Sequence, residues 1–423
     1  MIYNESKFNT EWDTLPLSKL GEFKRGKSKH RPRNDQKLFE GGTYPLIQTG
    51  EIKAANLLIK SHNSAYNEEG LKQSKIWPAG TLAITIAANI AETGILAYPM
   101  CFPDSCVGFN ADKEKTTELF MHYVFTYIKR SIQNSAVGSI QDNINIEMLT
   151  ALNFKIPKKT IQDLIVDLLS AIDYKIELNN DINTELENLA KTIYNYWFVQ
   201  FDFPNENGKP YKTSGGEMEW NDELKREIPK GWKVLNIGEY ADVRKGDLIT
   251  AKDANDGEIK VVAAGIDYSY THTEFNRERN TITISGSGAN AGFINFWREP
   301  IFASDCITVR GNTDTETLQL LYYLKFIQSH ILQKATGSAQ PHVYPDDIKN
   351  LYYAVPSNSI INKFGEAIIP INEQIATCIK QNNELIKLRD FLLPMLMTGQ
   401  VVVKNEAKEQ LSMAAEPQVK YGK

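Results

Sequence analysis

The sequence lacks the features that mark several large classes of protein. Its 423 residues include only 4 cysteines, which are Cys101, Cys106, Cys306 and Cys378, with no CxxC pair among them. This spacing argues against a zinc site and a disulfide framework, and it favours cysteines that are small buried residues. No stretch reaches the roughly 18 apolar residues of a spanning helix, and the N-terminus has no signal-like segment. We therefore expect a cytoplasmic protein that does not enter a membrane.

The sequence motifs of the common enzyme classes are also absent. The chain has no GxxxxGK[ST] loop, no HExxH, no GxSxG and no Asn-Pro-Pro-aromatic tetrapeptide. Two E-x-K triplets, at 51–53 and 258–260, match half of a magnesium nuclease site but lack an upstream Pro-Asp, so exposed strand ends are favoured. The glycine-rich stretch 285–292 favours a turn between strands. We expect no catalytic residue in this chain, and neither a metal nor a cofactor bound by it.

Composition and length indicate the class of protein and more than one domain, but they do not identify a binding partner. Hydrophobic residues make up 42% of the chain and charged residues 23%, as in soluble globular proteins. A chain of this length is too long for one ordinary domain. The formal net charge is -5, so a nucleic-acid partner has to be argued from where the basic residues lie.

An internal repeat covers nearly the whole chain. Residues 15–27 and 231–246 both read as a strand, then Gly-Glu-aromatic, then a basic loop. Each copy closes with a short apolar segment and a proline, at Pro157 and Pro356, which are 199 residues apart. Such a repeat predicts two domains of the same fold.

After each proline the pattern changes to that of a long helix. Apolar residues recur every seven positions in the first copy, and adding 199 gives the same series in the second. The first series is Ile165, Ile172, Asn179, Leu186 and Ile193, with a flanking seam at Ile161, Leu168, Ile182 and Leu189; the second is Phe364, Ile371, Cys378, Leu385 and Leu392. The shared register predicts two helices that pack together, the alternative being two helices docked on separate domains. Pro370 predicts a kink or a restart in the second helix.

These patterns predict an α/β protein. Two similar globular domains would be joined by two long antiparallel helices, with a pseudo-twofold internal repeat. The predicted boundaries are a first domain at 1–157, a helix at 158–204, a surface connection at 205–227, a second domain at 228–356, a second helix at 357–402 and a disordered tail at 403–423.

A basic segment in the first copy is the strongest sign of a nucleic-acid partner. Between Lys19 and Lys37 eight Lys or Arg residues face two acidic residues, a local charge of 8 - 2 = +6. A protein that binds DNA needs basic loops of this kind to neutralise phosphates. The alternative is a solvated loop that has no binding partner. The predicted DNA contacts are Lys24, Arg25, Lys27, Lys29, Arg31 and Arg33, and more weakly Arg244 and Lys245 in the second copy, with Lys252, Arg277, Arg279 and Arg298 beyond them.

A loop of small and amide residues recurs late in both copies. Glycine permits close approach, serine can bond a phosphate, and glutamine can pair with an adenine edge. The alternative is a structural turn before the final strand. The predicted contacts are Gly138, Ser139 and Gln141 in the first copy and Gly337, Ser338, Gln340 and His342 in the second.

The ends of the two helical segments resemble those of a known family. Residues 186–204 (LENLAKTIYNYWFVQFDFP) and 388–401 (LRDFLLPMLMTGQV) are similar to the conserved regions of specificity subunits of type I restriction-modification systems. The resemblance implies two domains that each read half of a split duplex DNA site. It also implies two modification subunits that bind S-adenosylmethionine and methylate adenine, joined by restriction subunits that use ATP with magnesium. A coiled-coil adaptor that binds only proteins, and a self-sufficient magnesium nuclease, are the alternative functions.

An aromatic cluster lies at the end of the first helix. It would serve either as a docking surface for a modification subunit or as packing of the helix end, and the two are compatible. Its predicted partner-binding members are Tyr194, Tyr196, Trp197, Phe198 and Phe201, with Phe203 beside them.

Overall fold

The computed structural model describes residues 2–87, 91–135, 146–335 and 341–403. The chain divides into two compact units. The first unit comprises Met1–Asn179 and Gln381–Lys423, and the second comprises Asn180–Lys380. Both boundaries fall inside long helices, so each unit holds one β-rich domain and a part of each helix.

The β-rich domain of the first unit contains eleven strands among its described residues. They are β1 (Asp13–Pro16), β2 (Gly21–Arg25), β3 (Tyr44–Leu46), β4 (Leu58–Ile59), β5 (Ser64–Tyr66), β6 (Ile76–Trp77), β7 (Leu82–Thr85), β8 (Thr93–Leu96), β9 (Met100–Cys101), β10 (Cys106–Ala111) and β11 (Asn153–Ile156). The helices are α1 (Thr49–Ala54), α2 (Glu68–Lys72), α3 (Glu118–Ser135), α4 (Ile146–Thr150) and the start of α5 (Lys159–Tyr194). The strands form sheets in the orders β2-β10-β7-β8-β4, β5-β3-β9-β6 and β1-β11.

Strand β7 shows why the larger sheet is covered on both faces. Leu82 and Ile84 point into a core that includes Phe120 of α3, whereas Ala83 points into a second core around Trp77. Successive side chains of a strand face opposite ways, so a continuous apolar run needs cover on both sides. The sequence LAIT therefore specifies an inner strand.

The second unit repeats this arrangement. Its strands are β12 (Met218–Asn221), β13 (Arg226–Pro229), β14 (Lys233–Asn236), β15 (Ala241–Lys245), β16 (Ile259–Val262), β17 (Tyr270–His272), β18 (Thr281–Ser285), β19 (Ile294–Trp297), β20 (Ile301–Ala303), β21 (Cys306–Gly311) and β22 (Tyr352–Val355). Its helices are α6 (Ile237–Tyr240), α7 (Asp314–Phe326), α8 (Gln328–Ala335), α9 (Pro345–Lys349) and the start of α10 (Asn358–Met397). The sheet orders are β15-β21-β18-β19, β17-β16-β20, β14-β22 and β12-β13.

The two domains share one topology, as the repeat predicts. The order β15-β21-β18-β19 matches β2-β10-β7-β8, and β14-β22 matches β1-β11. In the smaller sheets, β3 pairs antiparallel with β5 and parallel with β9, and β16 pairs in the same senses with β17 and β20. The prediction of an α/β fold built from two similar domains is confirmed.

The two long helices pack against each other in both units. Helix α5 has 36 residues and α10 has 40. In the first unit Leu169 shares a core with Leu393, and Asn179 bonds to Asn382. In the second unit the ring of Tyr194 contacts that of Phe364. Partners advance along α5 as they recede along α10 within each unit, so the helices are antiparallel there.

Some details of the helical segments differ from the prediction. Leu189, in the flanking seam, is 48% exposed. Pro370 is exposed and α10 continues through it, so the helix does not restart, because one missing N–H bond is outweighed by packing on both sides. Segment 205–227 is not only a surface connection: it contains β12 and the turn to β13, and Met218 packs against the second unit's core. Of the predicted tail, residues 404–423 lie outside the described residues.

Candidate nucleic-acid interface

The basic segment of the first unit follows strand β2 and is anchored at both sides. The N–H of Gly26 donates to the carbonyl of Cys106 at 2.9 Å. The N–H of His30 donates to Gln73 at 3.1 Å, and the His30 ring lies 2.8 Å from Asp35. The His30 contact is the main cause that lowers the pKa of Asp35 below its ordinary value. The loop therefore has a defined path across the surface.

Asp104 gathers three of the predicted arginines. Its carboxylate accepts from Arg33 at 2.5 Å and from Arg31 at 3.4 Å, and its backbone carbonyl accepts from Arg25 at 2.5 Å. Charge-assisted bonds of this kind hold a side chain but also compensate its charge. All three arginines are therefore held in place, and Arg31 and Arg33 are also partly neutralised.

Lys27 and Lys29 also carry uncompensated charge in this loop. Both are exposed, and neither has a carboxylate within ion-pair distance in the described part of the chain. Lys24, by contrast, pairs with Glu22 on the same strand, and Lys37 pairs with Asp35 at 3.2 Å. Of the predicted basic contacts, these two lysines are the ones most available to a phosphate.

The equivalent loop of the second unit has the same anchor but less positive charge. The N–H of Gly246 donates to the carbonyl of Cys306 at 2.9 Å, as Gly26 does to Cys106. Arg244 pairs with Asp242 at 3.0 Å, and Lys245 lies 3.6 Å from Asp305. The two basic residues at the matching place in this copy, Arg244 and Lys245, therefore already have acidic neighbours.

Lys245 and His342 are brought onto one surface by the glycine-rich turn 285–292. This turn links the antiparallel strands β18 and β19, as predicted. Ser287 forms a β-bridge with His342, and its hydroxyl lies 3.3 Å from the Asp305 carboxylate that holds Lys245. The ring of His342 stacks on that of Tyr344, which is 62% exposed.

Several predicted contacts lie outside the described residues, and two others, one buried and one half-buried, bond within the second unit. The undescribed ones are Gly138, Ser139, Gln141, Gly337, Ser338 and Gln340. Arg277 is buried and donates to Thr308 and to the carbonyl of Lys245, and Arg298 pairs with Glu187. These two arginines therefore bond to groups within the second unit, and their contact with DNA stays a prediction.

The aromatic cluster is mostly part of the second unit's core, which agrees with the packing alternative, while its role as a docking surface stays a prediction. Tyr194, Phe198 and Phe201 are buried. The Phe198 ring packs edge-on against Phe364, and Trp197 is half-buried in the same core. Tyr196 is the exposed member, at 40%. Phe203, beside the cluster, is also buried, whereas Trp197 is only half-buried.

The other sequence features have structural explanations. All four cysteines are free and buried, as predicted. Glu51 of the first E-x-K triplet caps helix α1 rather than ending a strand, and Lys260 of the second pairs with Glu299. Within the described ranges no cluster of potential metal ligands is found, and no helix there is both long and apolar enough to cross a membrane.

Sequence reasoning missed Asp104 and Asp305, the acidic residues behind the basic loops. A signal was present, because Asp104-Ser105-Cys106 is echoed by Ser304-Asp305-Cys306, directly before strands β10 and β21. The repeated Cys marks the anchor of the loop. The acidic residue beside it is shifted by one position between the copies.

Comparison with known proteins gives one consistent result. A family model described as "Type I restriction modification DNA specificity domain" matches residues 9–188 and 229–389. The chain is 24% identical to the type I restriction enzyme MjaIX specificity subunit of Methanocaldococcus jannaschii, over 94% of this chain and 95% of that one. It is 20% identical to the HindI specificity subunit of Haemophilus influenzae, over 68% and 75%. The crystal structure of a type I S subunit from M. genitalium matches with a TM-score of 0.56 and 19% identity, over 94% and 99%.

Proposed function

The chain belongs to the family of type I restriction-modification DNA specificity domains, and we propose that it reads an asymmetric, two-part duplex DNA site. In this role it positions modification and restriction subunits on the DNA and performs no chemistry itself. The observation that carries the proposal is the duplication of one domain topology with a basic or polar loop at the same place in each copy. Two copies of a DNA-reading domain fit a DNA site that consists of two half-sites.

Differences between the two loops support an asymmetric site. The first loop presents Lys27 and Lys29 without acidic partners in the described chain, whereas the second presents Lys245 beside Asp305, with Tyr344 nearby. Phosphate contacts position a protein, and base-edge contacts specify sequence. Because the side chains at equivalent places differ, we expect the two half-sites to differ in sequence.

Exposed apolar side chains on the long helices are the proposed docking sites for two modification subunits. A helix that shows apolar residues to water at helical spacing is typical of a partner interface. In the first unit they are Tyr174, Leu178, Leu388 and Phe391; in the second they are Leu189, Tyr196 and Ile369. We propose that S-adenosylmethionine binds to the modification subunits, and ATP with magnesium to the restriction subunits, in the cytoplasm.

The test is selection of bound sites from a random duplex library. The chain is co-purified with its modification subunits, and bound DNA is sequenced after several rounds at fixed salt. We expect two different short sequences separated by a spacer of fixed length. Binding without sequence preference, or a complex that captures no DNA, would favour a protein-only adaptor. DNA cleavage by the chain alone with magnesium would favour a nuclease.

A further inference from the structure

A buried polar cluster in the first unit connects the reading domain to both long helices. Asp173 of α5 is fully buried, and its carboxylate accepts from Arg389 of α10 at 2.7 Å. It also accepts from the hydroxyl of Tyr123 of α3 at 2.7 Å. Asn56, which follows α1, accepts from Arg389 at 2.9 Å and donates to Asp173 at 3.4 Å. One network thus contains groups from the domain and from each helix.

The second unit contains a comparable cluster. Arg298, between β19 and β20, pairs with Glu187 of α5 and donates to the amide oxygen of Asn372 of α10 at 2.8 Å. Asn372 in turn donates to Asn280 of the domain at 3.2 Å. Burial acts to raise the pKa of Glu187, but Arg298 and Lys325 outweigh it and hold that pKa below its ordinary value. The cluster is therefore an ion pair extended by amides.

The two clusters occupy equivalent register positions. Asp173 and Asn372 are 199 residues apart, the same offset that separates Pro157 and Pro356. The residue types differ, and the arginine comes from a helix in one unit and from the domain in the other. Buried polar networks tolerate little misalignment, because each unmet group is costly. Each network therefore favours a single placement of a domain on its helices.

We propose that these two clusters are joints that hold each reading domain at one angle on its own helices, and so restrict the spacer length that the protein accepts. This inference rests on the proposed two-part site. One base pair added to a spacer rotates a half-site by about 35° and moves it by about 3.4 Å. A rigid joint does not let the domain follow this rotation and shift of the half-site. A loosened joint lets the domain follow part of it.

The first joint has room to move once its bonds are removed. A cavity of about 330 Å³ borders it, lined by Asn56, Asp173 and Arg389 together with His122 and Lys129. Close packing would otherwise hold the domain in place without the bonds. The polar contacts therefore add to the apolar core that the domain shares with both helices in restricting the angle.

Two mild substitutions each remove one hydrogen-bonded link between a domain and its helices without leaving a buried charge unpaired, while the links through Tyr123 and Arg298 remain. Asn56→Ala removes a link to the domain in the first unit and retains the Asp173–Arg389 pair. Asn372→Ala removes a link in the second unit and retains the Arg298–Glu187 pair. Asn383→Ala, an exposed asparagine of α10, is the matched control.

The experiment is the library selection with a spacer of variable length, run on the complex of each variant with modification subunits. For the wild type we expect one spacer, with neighbouring lengths recovered about tenfold less, which corresponds to roughly 1.4 kcal/mol. For each variant, the preference for this spacer over neighbouring spacer lengths should fall below about threefold, while the bases of both half-sites stay the same. The double variant should accept the widest range. Unfolding transitions of the variants confirm that they are folded.

Other outcomes overturn the proposal. Folded variants that discriminate between spacers as well as the wild type contradict it, as does a control that broadens equally. Variants that lose the half-site bases as well would show a merely structural role. A wild type that recovers one half-site, or no site, overturns the proposed function and the joints with it.

Discussion

At the scale of single residues, the buried pair Asn179 and Asn382 raises the question of why polar side chains lie among the apolar residues between the two long helices. The Asn179 amide donates to Asn382 at 2.8 Å, while its own oxygen has no partner in the described chain. We predict that Asn179→Leu lowers the free energy of unfolding by about 1 to 3 kcal/mol, because the hydrogen bond between the buried Asn179 and Asn382 is lost. Calorimetry of the first unfolding transition measures this change.

The double variant Asn179→Leu, Asn382→Leu separates two explanations of this pair. Replacing both partners by apolar groups is close to neutral or stabilising. We therefore expect the double variant to regain or exceed the wild-type transition temperature. A double variant as unstable as the single one would mean that packing volume, rather than hydrogen bonding, determines the cost.

The cysteines give a second prediction at this scale. Burial raises the pKa of Cys106 and of Cys306 to about 12, so both remain protonated thiols at pH 8. The thiolate is the reactive form, and all four cysteines are buried. We expect no rapid reaction with a thiol reagent at pH 8 in the native chain, and four reactive thiols after denaturation. One fast thiol in the native state would contradict the buried placement.

Residue type alone could not show which arginines lie at the surface and which bond inside a unit. In sequence, Arg31, Arg277 and Arg298 are equally basic. Only the fold shows that Arg277 is buried and Arg298 half-buried against acidic, hydroxyl and amide groups, while Arg31 lies at the surface beside Asp104. These contacts join residues 30 or more positions apart, so no local pattern predicts them.

At the scale of elements, periodicity predicted the helices well and their surfaces poorly. The seven-residue recurrence predicted a helix of about 37 residues, and α5 has 36. The same recurrence did not distinguish Leu189, which is exposed, from Ile172, which is buried. Aromatic density at the helix end likewise left docking and packing as alternatives, and only the fold shows that Phe198 packs inside the second unit.

The exposed apolar residues of α10 give the prediction for this scale. Phe391 is 61% exposed and Leu388 lies one turn before it. We predict that Leu388→Asp with Phe391→Asp weakens association with the modification subunit by about tenfold or more, because a charge replaces an apolar contact. Pull-down or calorimetric titration measures it.

A matched control for this prediction is Leu248→Asp. Leu248 is exposed in a loop of the second domain and does not belong to a long helix. It should leave the association unchanged, and the unfolding temperature of both variants should equal that of the wild type. Equal loss in the control would show a general effect of added charge and contradict a helix docking site.

At the scale of the whole molecule, duplication was the most informative signal in the sequence. The offset of 199 residues and the repeated loops predicted two domains of one topology, and the sheet orders confirm it. The individual strands were less predictable, because β4, β6 and β9 have only two residues each. Such short strands are determined by their neighbours in the sheet rather than by their own sequence.

A chain of net charge -5 that binds a polyanion must concentrate its positive charge locally. Neutralising a phosphate releases counterions, which makes log K fall with log salt by about 0.9 per contact. A basic residue that already has a carboxylate partner contributes less, because its charge is partly compensated before DNA arrives. The first loop should therefore contribute more to the salt dependence than the second.

We predict that Lys27→Gln with Lys29→Gln lowers the salt slope of DNA binding by about 1.8, the value for two phosphate contacts. Arg244→Gln with Lys245→Gln should lower it less, because Asp242 and Asp305 lie 3.0 and 3.6 Å from these side chains. Lys158→Gln with Lys175→Gln, two exposed lysines outside the loops, should leave it unchanged. Fluorescence anisotropy of the complex across a salt series measures all three slopes. Equal slopes for the two loop variants would mean that local ion pairs do not determine which loop contacts the backbone.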